Sequence, residues 1–477
     1  MITELPEGWT SSPLAALLRG GVFSDGDWIE SKDQDPNGDV RLVQLADIGD
    51  GEFRDRSARF LTSAKARELD CTFLERGDVL VARMPEPLGR ACLFPGTSKA
   101  SVTAVDVCIV RPEKDGPVLP RYLMFLINSP KTRSQISEYE RGTTRKRISR
   151  ANLGSIEVPV CPLAEQRRIV RAVEELLGQV RRAEARLERV PIILKRLRHS
   201  VLAAAFSGDL TSDWRARNDA AEWTPTPLGQ LLAAGPQNGL YKPQSAYGSG
   251  IPIVRIDDFH DGHLLRRWHD LRRLSVSAHE RSTYSLHNGD MLINRVNSPK
   301  FVGKTMLVED LEGHALFESN MMRITLDHER IVPQFALLAL MSPQGRAQLG
   351  RNAKHAVNQS SINQTDVRQV ELPVPDKREQ MEVVSRVRAL FSLAEAIDRR
   401  VLVATTRTAL ISQAILSQAF SGELVPTEAE LAREGQQTFE TAEALLARVA
   451  RRGTENRGTA ARGMPSRPQR RRPATAA

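Results

Sequence analysis

Five cations crowd into residues 141–150, where the chain runs RGTTRKRISR. Arg145, Lys146 and Arg147 stand together in it. Guanidinium and ammonium groups at this density suit phosphate oxygens and the O6/N7 edge of guanine in a DNA major groove. A second stretch, HAVNQSSIN at residues 355–363, presents Asn358, Gln359 and Ser360. Carboxamides of this kind pair with the N6/N7 edge of adenine. Two turn segments add basic side chains with an expected phosphate role: Arg90 in MPEPLGRA, and Lys300 and Lys304 in VNSPKFVGKT.

Signatures of catalysis fail one by one. GKT at residues 303–305 resembles the end of a phosphate-binding loop, but the glycine required five positions before Gly303 is Ser298. PDKRE at 375–379 opens a helical pattern, and no Glu-x-Lys follows on a strand. The Asn/Asp-Pro-Pro-Tyr/Phe tetrapeptide of amino-methyltransferases does not occur. Cys71, Cys92, Cys108 and Cys161 form no CxxC pair and read as reduced thiols. No His, Cys and carboxylate constellation marks a nucleophile or a metal site. The expectation is no catalytic residue, no metal and no cofactor. The opening MITELPEGW lacks a secretory pattern, and YLMFLI and FALLALM are too short to cross a bilayer, so a cytoplasmic protein is expected.

Net charge is +9, but the eight Arg and single Glu after residue 450 carry +7 of it. The rest of the chain is close to neutral, so any basic surface there is local.

The elements that position these residues are written twice. GWTSSPLAALL (8–18) returns as EWTPTPLGQLL (222–232), and LERGDVLVAR (74–83) as LHNGDMLINR (286–295). YLMFLINSPKTRSQI returns as FALLALMSPQGRAQL, and AFSGDL (205–210) as AFSGEL (419–424). The offset stays between 211 and 214, which identifies a tandem duplication. In each copy, VLVA or MLIN after Gly-Asp reads as a strand leaving a tight turn, and YLMFLI or FALLALM as a short helix ended by Ser-Pro. The duplication is also a control. Side chains alike in both copies belong to fold or phosphate contact, so Arg83 and Arg295 are placed there. Base reading belongs where the frame repeats and the side chains change, as at Arg145, Lys146 and Arg147 against Asn358, Gln359 and Ser360.

A long helix follows each domain. From Ile169, apolar or Ala positions alternate by four and three for about five heptads, the pattern of a coiled-coil seam. The second copy keeps it from Val383 except at Thr408 and Gln418. Pro191 should divide or kink the first helix, whereas its counterpart Thr405 allows a continuous second one. Gly208 and Gly422 should stop the two helices.

These features resemble the specificity subunit of type I restriction–modification enzymes. The resemblance rests on LPEGW, LERGDVLVAR, the helix entry VPVCPLAEQRRIV and the exit AAFSGDL, and covers residues 5 to about 450. The second helix entry, PVPDKREQMEVV, keeps Glu379 and Gln380 but departs elsewhere. The resemblance implies an α+β fold with two target-recognition domains, each reading half of a split double-stranded DNA sequence, and two long helices pairing as an antiparallel coiled coil. It also implies docking of methyltransferase subunits, two in number, and of an ATP-driven nuclease, with no chemistry in this subunit. The expected boundaries are 1–160 and 221–373 for the domains, 161–207 and 374–424 for the helices, and 208–220 for a linker. A helical segment at 425–450 and a disordered basic tail at 451–477 complete them. A first half-site richer in G and a second richer in A would follow from the cation and carboxamide clusters. The competing readings are a protein-only coiled-coil scaffold, and a self-contained methyltransferase or nuclease.

Overall fold

A computed structural model of the chain describes residues 4–460 apart from 85–86, 140–145, 261 and 357–358. It divides into two compact units, one of Met1–Ala185 with Thr405–Ala477 and one of Arg186–Ala404. Each unit therefore combines one α+β domain with part of each long helix.

The first domain holds a four-stranded antiparallel sheet in the order Val22–Asp25, Val107–Arg111, Val79–Ala82, Ala91–Leu93. A three-stranded sheet runs Phe60–Leu61, Val40–Val43, Ala100–Thr103, its last pair parallel. The second domain repeats both: Leu232–Asn238, Met321–Leu326, Asp290–Asn294, Thr305–Leu307, then Arg273–Leu274, Tyr247–Val254, Leu316–Phe317, again with its last pair parallel. Even register is kept. Thr10 faces Val160 across one two-stranded ribbon, and Thr224 faces Val374 across the other. The second domain adds a sheet of Val296–Asn297, Gln359–Ser361 and Lys354–Ala356.

Local chemistry explains the repeated phrases. In LERGD, Gly77 sits at φ +97° and the Asp78 carboxylate accepts the Glu75 N–H at 2.7 Å. In LHNGD, Gly289 is at φ +94° and Asp290 accepts the His287 N–H at 2.9 Å. The strands that follow are buried along their whole length, as their unbroken apolar runs require. Ser129 and Ser342 each end one buried helix and cap the next, which begins with proline.

The first long helix is divided into Leu163–Leu187 and Val190–Ser207, with Pro191 in the first turn of the second piece, where its missing N–H is harmless. The second, Lys377–Ser421, runs unbroken for 45 residues, about 68 Å at 1.5 Å per residue. Within the second unit the helices are antiparallel: Arg198 pairs with Asp398 at 2.9 Å, and the Leu210 carbonyl accepts from Arg386 at 2.8 Å. Seam residues Ile169, Val173, Val180, Val383, Val387 and Ile415 are buried, whereas Leu197 and Ile411, also at seam positions, are exposed, so the seam is not buried along its whole length. Thr408, read as a break in the seam, is buried too, because its hydroxyl donates to the Thr405 carbonyl at 2.9 Å.

Both helices stop on left-handed glycines, Gly208 at φ +85° and Gly422 at φ +83°. A Cβ at Gly208 meets nothing within 4 Å, whereas one at Gly422 would overlap Pro6. Gly208→Ala is therefore expected to cost about 1 kcal/mol from backbone strain alone, and Gly422→Ala distinctly more. Thermal unfolding of the two variants checks this, and equal losses would contradict it.

Two expectations are corrected, those for residues 208–220 and 451–460, and one is refined. Residues 208–220 are not a plain linker: after a 3-10 turn, Ser212–Asn218 form a helix, and Thr211 is buried. The segment after the second long helix is two helices, Glu428–Gly435 and Ala442–Ala460, the latter anchored by buried Ala442 and Leu445. Residues 451–460 are thus helical, and 461–477 lie outside the described residues. Among the described residues, no helix is long and apolar enough to cross a membrane.

Candidate DNA interface and helix junctions

Arg90 is 6% exposed, and its guanidinium donates to the carbonyls of Leu45, Ile48 and Pro87 at 2.8, 2.6 and 3.1 Å. Lys304 is 7% exposed and donates to the Ile256 carbonyl at 3.1 Å, its ammonium 4.5 Å from the Phe259 ring centre. Ile256 occupies the place of Leu45 in the repeat. Both cations therefore clamp the same turn in their own domain, which corrects the phosphate role expected of them. Lys300 is exposed, 5.2 Å from the Phe301 ring centre.

The Arg83 backbone accepts from the Ile148 N–H at 3.2 Å, and the Arg295 backbone from the Ile362 N–H at 2.9 Å. Their guanidinium groups donate to the equivalent carbonyls of Val105 and Ser319. These arginines tie the pre-helix segment to the main sheet and belong to the fold. Lys146 and Arg147 are exposed, with Arg147 3.9 Å from the Asp106 carboxylate. Arg145 lies outside the described residues. In the second domain the corresponding segment is a hairpin, its strands Lys354–Ala356 and Gln359–Ser361. Gln359 is exposed, Ser360 is fully buried, and Asn358 lies outside the described residues. Burial removes Ser360 from the base-reading set, since strand alternation turns it inward.

No group of three or more His, Cys, Asp or Glu could hold a metal among the described residues. Burial pushes the thiols of Cys71, Cys92 and Cys108 up to about 12, far from a reactive thiolate. An open cleft of about 600 Å³ in the second domain is lined by Arg267, Trp268, His269 and Arg273 opposite Asp310 and Glu312, a mixed-charge surface without a convergent catalytic set.

The long helices are seated by a device that sequence reading missed. Glu165, at the start of the first, accepts from the Trp9 indole N–H at 2.8 Å and the Glu428 backbone N–H at 3.0 Å. Glu379, at the start of the second, accepts from the Trp223 indole N–H at 2.8 Å, the Thr211 hydroxyl at 2.7 Å and Arg215 at 3.0 Å. In each unit, then, the helix entering from the domain is latched to the segment leaving the other long helix. Beside each Glu, Gln166 and Gln380 repeat one another, bonding the N–H groups of Leu119 and Val332. The exits match. Phe206 packs edge-on against Phe335 and Phe420 against Tyr122, both with ring centres 5.2 Å apart. The AFSG phrase thus docks the first helix onto the second repeat's domain, and the second helix onto the first.

Burial holds the Glu165 carboxyl above the ordinary carboxylate range. The folded state therefore takes up a proton more readily than the unfolded one, and the contribution of Glu165 to stability falls as pH rises between its unfolded value near 4.5 and its raised folded value. Glu165→Gln should remove that slope. The unfolding temperature of wild type relative to the variant is expected to fall as pH rises through this window, and a constant difference would contradict it.

Comparison with known proteins places this architecture. The chain is 32% identical over 431 residues to the type I restriction enzyme StySPI specificity subunit of Salmonella potsdam, covering 88% of this chain and 90% of that one. The chain belongs to the type I specificity-subunit family. The family model described as the type I restriction modification DNA specificity domain matches residues 7–190, within the first repeat and its helix. The EcoKI specificity subunit of Escherichia coli K12 is 29% identical with the same coverage. Two solved chains share the fold at 21% identity. One comes from a study of complex assembly and conformational transition in a type I R-M system, with TM-score 0.66 over 88% of this chain and 99% of that one. The other is the HsdS subunit of Thermoanaerobacter tengcongensis, with TM-score 0.53 over 88% and 98%.

Proposed function

We propose that each repeat of this specificity subunit reads one half of a two-part double-stranded DNA target, and that the paired long helices set the distance between the halves. The observation carrying this reading is the register-for-register duplication, with each long helix seated on the other repeat's domain through Phe206 and Phe420. Two similar readers on an antiparallel spacer meet DNA in opposite strand senses, and a helix of about 68 Å exceeds the roughly 34 Å of one DNA turn. Lys146, Arg147, Lys300 and Gln359 are exposed members of the candidate contact set, and Arg145 and Asn358 complete it from the segments at 140–145 and 357–358. Exposed apolar side chains on the helices, among them Ile192, Ile193, Leu402 and Val403, support docking of two methyltransferase subunits. Those partners and an ATP-dependent nuclease would supply the chemistry in the cytoplasm, this chain supplying none.

A gel-shift series with the full chain and its modification partner tests the reading. Binding that selects one DNA sequence over a scrambled competitor by at least about a thousandfold is expected. Binding without sequence preference would favour a protein-only scaffold.

A further inference from the structure

Trp28 and Tyr241 are the most exposed aromatic side chains among the described residues, at 71% and 79%. They stand at corresponding places, two residues after Gly26 and Gly239, where the two domains share backbone geometry. A Cβ on Gly26 would overlap the Ala104 carbonyl, and one on Gly239 the equivalent Glu318 carbonyl. The next residues are pinned alike: the Asp27 N–H donates to Thr103 at 2.8 Å and the Leu240 N–H to Phe317 at 2.9 Å. A single exposed aromatic is ordinary. Two of them, on pinned backbone at the same point of a duplicated fold, keep most of their surface in solvent, with the Trp28 indole N–H donating to the Glu30 carboxylate at 3.2 Å, and are placed for an outside partner.

That partner is identified by what flanks them. The segment after each aromatic is tied to an arginine-rich segment beside the three-stranded sheet. In the first domain, Arg59 donates to the Gln34 carboxamide at 2.8 Å and the Asp35 N–H to Phe60 at 2.9 Å. In the second, Arg273 donates to the Gly250 carbonyl at 2.9 Å and the Ser275 N–H to Ala246 at 3.0 Å. Arg54, Arg56 and Arg59 are exposed in one, and Arg266, Arg267, Arg272 and Arg273 in the other. The frame repeats while the side chains change, as a pair of readers with different half-sites demands.

We propose that Trp28 and Tyr241 are DNA-contacting side chains, one per repeat, each packing on the bases or sugar edges of the half-site read by its own domain while the neighbouring arginines hold phosphates. Aromatic and aliphatic groups contact thymine methyls or wedge a base step, and arginine contacts make affinity salt-dependent. The inference rests on the two-reader proposal above.

The test uses the full chain with its modification partner and a target selected from a random DNA library. Trp28→Ala and Tyr241→Ala should each weaken target binding roughly tenfold and relax base preference in one half-site only, a different half for each. Their unfolding temperatures should match wild type. Replacing Arg54 and Arg56 by Ala should weaken all sequences alike and lower the salt slope by about two. Variants that bind with wild-type affinity and preference in both halves would overturn the inference. A wild-type complex that selects no DNA would instead overturn the two-reader proposal.

Discussion

Phe420→Ala is expected to destabilise the chain by about 3–5 kcal/mol, and Phe206→Ala by a similar amount, although both residues lie at the ends of helices. Each ring is less than a tenth exposed and closes a cluster in a domain far from it in sequence: Phe420 joins Tyr122 and Ile169, while Phe206 joins Phe335 and Val383. Truncation removes the aromatic pair and leaves a cavity bounded by rigid elements. Hydrogen exchange should then rise around residues 120–160 in the Phe420 variant and around 330–375 in the Phe206 variant. Leu402→Ala, at 70% exposure on the same long helix as Phe420, is the control and should change stability by no more than about 0.5 kcal/mol. Losses below about 1 kcal/mol for the two Phe variants would show that the helix ends are not seated as described.

Glu379→Ala should be comparably severe, about 3–5 kcal/mol, since it leaves the Trp223 indole, the Thr211 hydroxyl and Arg215 without their shared acceptor. Glu165→Ala deprives two N–H donors rather than a cation and should cost less. Denaturant unfolding of the pair checks the order. A larger loss at Glu165 would contradict the assignment of Arg215 to the Glu379 latch.

Much of this fold was legible because duplication doubles every signal. The Gly-Asp turns, the buried strands, the Ser-Pro helix boundaries, the division at Pro191 and the stops at Gly208 and Gly422 all follow from local chemistry that occurs twice. What local chemistry does not carry is partnership. Glu165 and Glu379 are visibly equivalent, yet nothing near either shows that its partners follow the opposite long helix. Residues 208–220 read as a linker because Ser, Asp and Asn are polar, whereas their helix is tied down by distant partners, Thr211 and Arg215 to the Glu379 carboxylate and Asp213 to Arg386. Arg90 and Lys304 misled by type. A cation in a turn looks like a phosphate ligand, and its aliphatic stem, which lets it lie buried over a turn, is silent in the sequence. The duplication could not correct this, since cations alike in both copies are compatible with fold and with phosphate contact, and only their burial at 6% and 7% decides between the two. Ser360 shows the same limit, because the strand that buries it could not be told from a loop.

Whether each repeat reads one DNA half-site is decided by sequencing modified bases in the genome of cells that express this chain with its modification partners. One dominant motif made of two defined blocks separated by an unspecified spacer of constant length is expected. A continuous motif, or blocks at variable spacing, would contradict it.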